Sequence, residues 1–116
     1  MRTLTAKEIQ ILEDNDWSIS SYIDDGKVEI GKYSPAGEDF YVLADVENFA
    51  ESMSEIAEDF DVDEHIEMLI EAKQHGLAGV PSTKVLVHDA EDIKKMLQEI
   101  ADALRLNRRI LVTSVM

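Results

Sequence analysis

The sequence predicts an α+β domain: an N-terminal helix, a three-stranded antiparallel sheet and a C-terminal group of three to four helices. Three observations predict it. A capping box opens the first stretch of helical periodicity. Residues 17–44 then alternate with period two between turn signatures. From residue 45 the apolar residues return to steps of three and four.

The first helix starts at Thr5, with Glu8 three residues later, so that each side chain can satisfy a backbone N–H of the first turn. Ala6, Ile9 and Leu12 give its apolar spacing. Glu13-Asp14-Asn15-Asp16 is a poor continuation, because acids at a helix C-terminus oppose the macrodipole. Trp17, Ile19, Ser21 and Ile23 alternate with Ser18, Ser20 and Tyr22, and Asp25-Gly26 suits the positive φ of a hairpin turn. Val28 and Ile30 mark the return strand, Ser34-Pro35-Ala36-Gly37 the second turn, and Phe40-Tyr41-Val42-Leu43 the third strand.

Asp45 is the expected N-cap of the next helix, whose stripe is Val46, Phe49, Met53, Ile56 and Phe60. Asp61 with Glu64 opens another, with Ile66, Leu69 and Ile70 on its apolar face and an end near His75-Gly76. Residues Gly76 to Pro81 read as a linker. Ser82 caps a segment Thr83–His88 that is either helix or strand, since Val85-Leu86-Val87 is rich in β-branched residues. Asp89 with Asp92 is expected to start the last helix, with the stripe Ile93, Met96, Leu97, Ile100, Ala101 and Leu104. Residues 1–116 form one domain, and the apolar tail 110–116 reads as an extra strand, a partner-packing segment or a frayed end.

The net charge is −14. A chain this acidic is unsuited to gripping a phosphate backbone or an anionic membrane, so neither nucleic acid nor membrane is expected as a direct partner. The charge is unevenly placed. Residues 45–71 hold 11 of the 25 acids and no Lys or Arg. Glu47, Glu51, Glu55 and Glu58 follow at steps of 4, 4 and 3, a ridge opposite the apolar stripe, and Glu64, Glu67 and Glu71 form a second.

Like charges four apart cost a helix roughly 0.2–0.5 kcal/mol per pair, so stability alone would favour interleaved lysines. Carboxylates one turn apart lie about 6 Å apart along the axis, comparable to successive phosphates. The candidate partner-binding surface is therefore Glu47, Glu51, Glu55, Glu58, Asp59, Asp61, Asp63, Glu64, Glu67 and Glu71. The plainer alternative is a solvated face that keeps the chain soluble.

Catalytic and metal motifs do not form. There is no Cys, which excludes disulfides, thiolate metal sites and thiol chemistry and points to a reducing cytoplasm. Met1 to Glu8 lacks the apolar core of a signal peptide. Asp59-Phe60-Asp61-Val62-Asp63 opens like a calcium loop, but Glu64 and Ile70 stand where Gly and Glu are needed. Asp61 and His65 share a helix face, yet the turn before them offers Ala57. Glu38 and Asp39 are adjacent, so on a strand they diverge. Trp17, Tyr22, Tyr33 and Tyr41 lack the basic groove that base stacking needs, and core or sheet-face packing is favoured for them. No cofactor, no metal and no enzymatic activity are expected.

Four stretches resemble short acidic proteins encoded on phages and other mobile elements of gut Firmicutes. They are Tyr33 to Phe40 (YSPAGEDF), Asp59 to His65 (DFDVDEH), Gly79 to Ser82 (GVPS) and Asp89 to Lys94 (DAEDIK). Small acidic proteins of mobile elements often look like anti-defence factors, which block restriction or CRISPR nucleases by occupying the cleft meant for nucleic acid. The resemblance thus implies a non-enzymatic inhibitor in the cytoplasm of a bacterial host cell, with a basic protein partner such as a CRISPR effector nuclease. The alternative is a structural module that forms a homodimer or larger assembly through its apolar C-terminal tail.

Overall fold

The computed structural model describes residues 2–35, 37–74 and 83–115, with side chains of the last two helices described up to residue 71 and over 87–106. The elements are α1 (Ala6–Asp14), β1 (Ser18–Ile23), β2 (Lys27–Tyr33), β3 (Asp39–Asp45), α2 (Phe49–Asp59), α3 (Val62–Gln74) and α4 (Thr83–Val115). The α+β architecture is as the sequence predicts.

The capping box forms. Thr5 Oγ1 accepts from the Glu8 N–H at 3.1 Å, and Glu8 Oε1 accepts from the Thr5 N–H at 2.9 Å. Asp16 ends the turn after α1 in a left-handed conformation, φ 64°, and Trp17 N–H returns to the Leu12 carbonyl at 2.8 Å.

The sheet is a meander in the order β1-β2-β3, antiparallel throughout. Asp25 and Gly26 both take positive φ, 72° and 74°, between the paired residues Ile23 and Lys27. One feature departs from simple alternation. The β1 register slips between Ile19 and Ser21, leaving Ser20 as the extra residue of a bulge. Ile19 and Tyr22 therefore pack inward while Ser21 stays exposed, whereas strict period two would put Ile19, Ser21 and Ile23 on one face. The turn between β2 and β3 closes through Ser34 and Glu38, with Gly37 at φ 88°.

Asp45 is not an N-cap. The β2–β3 ladder runs on to the Lys27–Asp45 pair and Val46 N–H bonds the Gly26 carbonyl, so the backbone is still extended there. The helix begins three residues later than expected, after Asn48 in a left-handed conformation. Asp61 does cap α3, accepting from the Glu64 N–H at 3.1 Å.

Residues 83–115 form one unbroken helix, so the strand alternatives for Thr83–His88 and for the tail up to Val115 are replaced by helix. Asp89 starts nothing: it lies inside α4, buried. Helical backbone on both sides satisfies its N–H and carbonyl, and its carboxylate finds a partner in the turn before β3. The expected linker Gly76–Pro81 and the cap Ser82 lie outside the described residues. At 1.5 Å per residue α4 is about 50 Å long, and it sets the 55 Å long dimension of the molecule.

The core lies between one face of the sheet and the helices. Val28, Ile30 and Ala44 from the sheet meet Phe49 and Met53 of α2 and Ile93, Leu97, Ile100 and Leu104 of α4. Leu12 and Trp17 close it on the α1 side. The other face of the sheet is left open: Ile23, Tyr33, Tyr41 and Leu43 are all exposed on it.

Candidate protein-binding surfaces

α2 turns Phe49, Ala50, Met53 and Ala57 into the core, which leaves Glu51, Glu55, Glu58 and Asp59 outward. α3 turns His65 inward and exposes Asp63, Glu64, Glu67 and Glu71. Glu47 and Asp61 lie in the connections before each helix and are also exposed. All ten carboxylates singled out in the sequence thus face solvent. The first ridge is shorter than expected, because Glu47 precedes α2 and pairs with Arg2 at 2.8 Å. Glu55, Glu58, Asp59, Asp63, Glu64, Glu67 and Glu71 take part in none of the ion pairs among the described residues. Lys94, which comes down from α4 towards the end of α2, spends its ammonium on the Ala57 and Phe60 carbonyls, at 3.1 and 3.0 Å. It caps a helix terminus and leaves the carboxylates alone.

A buried polar cluster pins the β2–β3 turn, and the sequence did not reveal it. Ser34 Oγ donates to Asp89 Oδ2 at 2.7 Å and accepts from the Glu38 N–H at 2.9 Å. Glu38 faces His65 Nε2 at 3.4 Å, and His65 packs against the Phe40 and Phe60 rings, which also touch each other. Burial pushes the Glu38 carboxyl above its ordinary value. His65 offsets part of this, and the nearby Asp89 carboxyl adds to it.

The cluster contains Ser, His and carboxylates, but Ser34 gives its proton to Asp89 and not to an imidazole. That is a structural tie and not an activated nucleophile. Glu38 and Asp39 diverge, the first towards His65 and the second to the open face, where it accepts from Tyr41. Among the described residues no three His, Asp or Glu side chains converge on a cation site. Asp59 to Asp63 form a helix junction.

The aromatic residues divide. Trp17 is buried and Tyr22 is half-buried, its hydroxyl accepting from the Leu4 N–H at 3.3 Å. Tyr33 and Tyr41 stand on the open face. Among the described residues, no helix is long and apolar enough to cross a membrane. No family model, no curated protein and no solved structure matches the chain.

Proposed function

We propose that this protein is a non-enzymatic inhibitor that binds a basic protein through the carboxylates of α2 and α3. It occupies a groove that would otherwise hold nucleic acid. The carrying observation is the exposure of all ten carboxylates from Glu47 to Glu71, of which Glu55, Glu58, Asp59, Asp63, Glu64, Glu67 and Glu71 enter no ion pair among the described residues. Such a face projects a negative field that draws basic surfaces towards it and repels phosphate. A CRISPR effector nuclease is the specific target that the resemblance to mobile-element proteins raises, and an anti-defence role in the host cytoplasm follows from it.

The test is a nuclease-inhibition and co-purification assay with Glu55→Lys, Glu58→Lys and Glu67→Lys combined. Inhibition is expected to be lost in the variant, and wild-type binding to weaken steeply with salt. Unchanged inhibition, or salt-independent binding, rejects the idea.

A second reading is assembly through the C-terminal tail. It is favoured by the continuation of α4 for eleven residues past Leu104, the last of its residues in the core cluster among those described. Truncation after Arg109 with a solution mass measurement decides it: if the full-length and truncated forms are both monomers, this reading is removed.

A further inference from the structure

We infer that the open face of the sheet is a second interaction surface, a plate that takes an arginine-bearing segment of a partner protein against Tyr41. The register builds it. On this face Gly31 pairs with Tyr41, Glu29 with Leu43 and Tyr33 with Asp39. Tyr41 thus has Leu43 and Asp39 as same-face neighbours on its own strand, and Glu29 and Tyr33 as diagonal neighbours on β2. Diagonal pairs are about 7–8 Å apart, within reach of one large side chain.

The ring is held in place from two sides. A Cβ on Gly31 would stand 2.5 and 2.6 Å from the Tyr41 ring atoms Cε1 and Cδ1, so only glycine there lets the ring lie across β2. The Tyr41 hydroxyl donates to Asp39 Oδ2 at 3.0 Å. A ring covered on one side by the strand and tethered at its tip presents its other side to solvent. Tyr41 is 49% exposed and Tyr33 68%.

The charges around it select the occupant. Glu29 and Asp39 flank the ring, while Lys27 at the far end of the same face is paired with Asp45 at 2.5 Å. A guanidinium is planar, stacks on a tyrosine and still directs N–H groups sideways to carboxylates. Its aliphatic stem suits the exposed Leu43. A nucleic-acid base also stacks on tyrosine, but its phosphates would meet Glu29 and Asp39 on a chain of net charge −14. A protein segment carrying arginine satisfies ring and carboxylates together. The basic character of the partner agrees with the proposed function, and the face is separate from the acidic helices.

The experiment titrates the protein with a short peptide of alternating Arg and Gly and with its Lys-for-Arg counterpart, by calorimetry. Tighter binding of the arginine peptide is expected, with the preference reduced about fivefold by Tyr41→Ala. Tyr41→Phe is expected to keep the preference, because the ring remains. Tyr33→Ala, at a position too exposed to threaten folding, is expected to narrow it. Equal affinity for the two peptides, or a preference that survives both alanine variants, overturns the proposal. Glu55→Lys with Glu58→Lys separates this surface from α2. A preference that persists in that variant supports the sheet face. A preference lost there, and kept in the tyrosine variants, rejects the sheet face and leaves the acidic helices standing.

Discussion

Ser34 and Asp89, 55 positions apart, share a 2.7 Å hydrogen bond inside the protein, and this contact fastens the β2–β3 turn to the second turn of α4. A carboxylate buried to 3% exposure needs such a donor, because leaving it one bond short costs far more than the bond is worth in water. Ser34→Ala removes the donor to Asp89 and the acceptor of the Glu38 N–H in one step. The expected loss is about 2 kcal/mol of unfolding free energy. Urea denaturation followed by the fluorescence of Trp17, the single tryptophan, measures it. A loss under about 0.5 kcal/mol would mean that the turn is held by other contacts.

Glu38 extends the same cluster to α3 and makes it sensitive to pH. Burial raises its pKa; His65 pulls it partly back and Asp89 pushes it up again. A carboxyl whose pKa is raised by folding favours the folded state while it is protonated. That contribution is complete below the ordinary glutamate value and is lost as pH rises through the raised one. Glu38→Gln stays neutral throughout and keeps an oxygen for His65 and an amide for Asp89. Its stability relative to wild type is expected to be greater at about pH 7 than at about pH 4. Urea titrations of both proteins at the two pH values read the difference, and the carboxylates away from this cluster cancel between them. A difference that is flat, or that shrinks at neutral pH, would show that the His65 contact outweighs the burial.

Local chemistry made much of the fold legible, and contacts across the chain hid the rest. The Thr5–Glu8 box, the Asp25-Gly26 turn and the Asp61 cap each involve residues at most three apart, and each formed as expected. Asp45 did not, because the Lys27–Asp45 pairing holds it in the strand from 18 residues away. Asp89 reads as a helix start from its neighbours alone, and its bond to the distant Ser34 is part of what holds it within a helix. The same division holds for the surfaces. Carboxylates opposite an apolar stripe must face water, so their exposure was readable. The seating of Tyr41 on Gly31 depends on the β2–β3 register and was not.

That seating leaves a spectroscopic mark. The Tyr41 phenol is pushed above its ordinary ionisation range, first by its hydrogen bond to Asp39 and then by the Asp39 charge, with Tyr33 and Glu29 adding to the effect. Asp39→Asn removes the charge and weakens the hydrogen bond. The Tyr41 ionisation midpoint is expected to fall towards the ordinary tyrosine value, as followed by nuclear magnetic resonance of ring-labelled tyrosine through an alkaline titration. A midpoint unmoved by Asp39→Asn would mean that the hydroxyl is not tethered in solution, and the plate would lose one of its two supports.

The α2 ridge carries a cost that a single substitution exposes. Glu55 stands one turn from Glu51 on one side and from Asp59 on the other, and all three are exposed. Each like-charged pair costs roughly 0.2–0.5 kcal/mol, and an opposite pair gains about as much. A glutamate four residues ahead of a lysine is also the favourable order for such a pair, and Glu51 would stand in that place. Glu55→Lys should therefore stabilise the protein by about 0.8–2 kcal/mol in low salt, and by less as salt is added. The same change should weaken binding to a basic partner. Opposite movements of stability and binding are the signature of residues retained for recognition. Urea denaturation alongside a binding titration tests both. A variant that loses stability would place Glu55 in a structural contact, and one that gains stability with binding intact would make the ridge an ordinary solvated face.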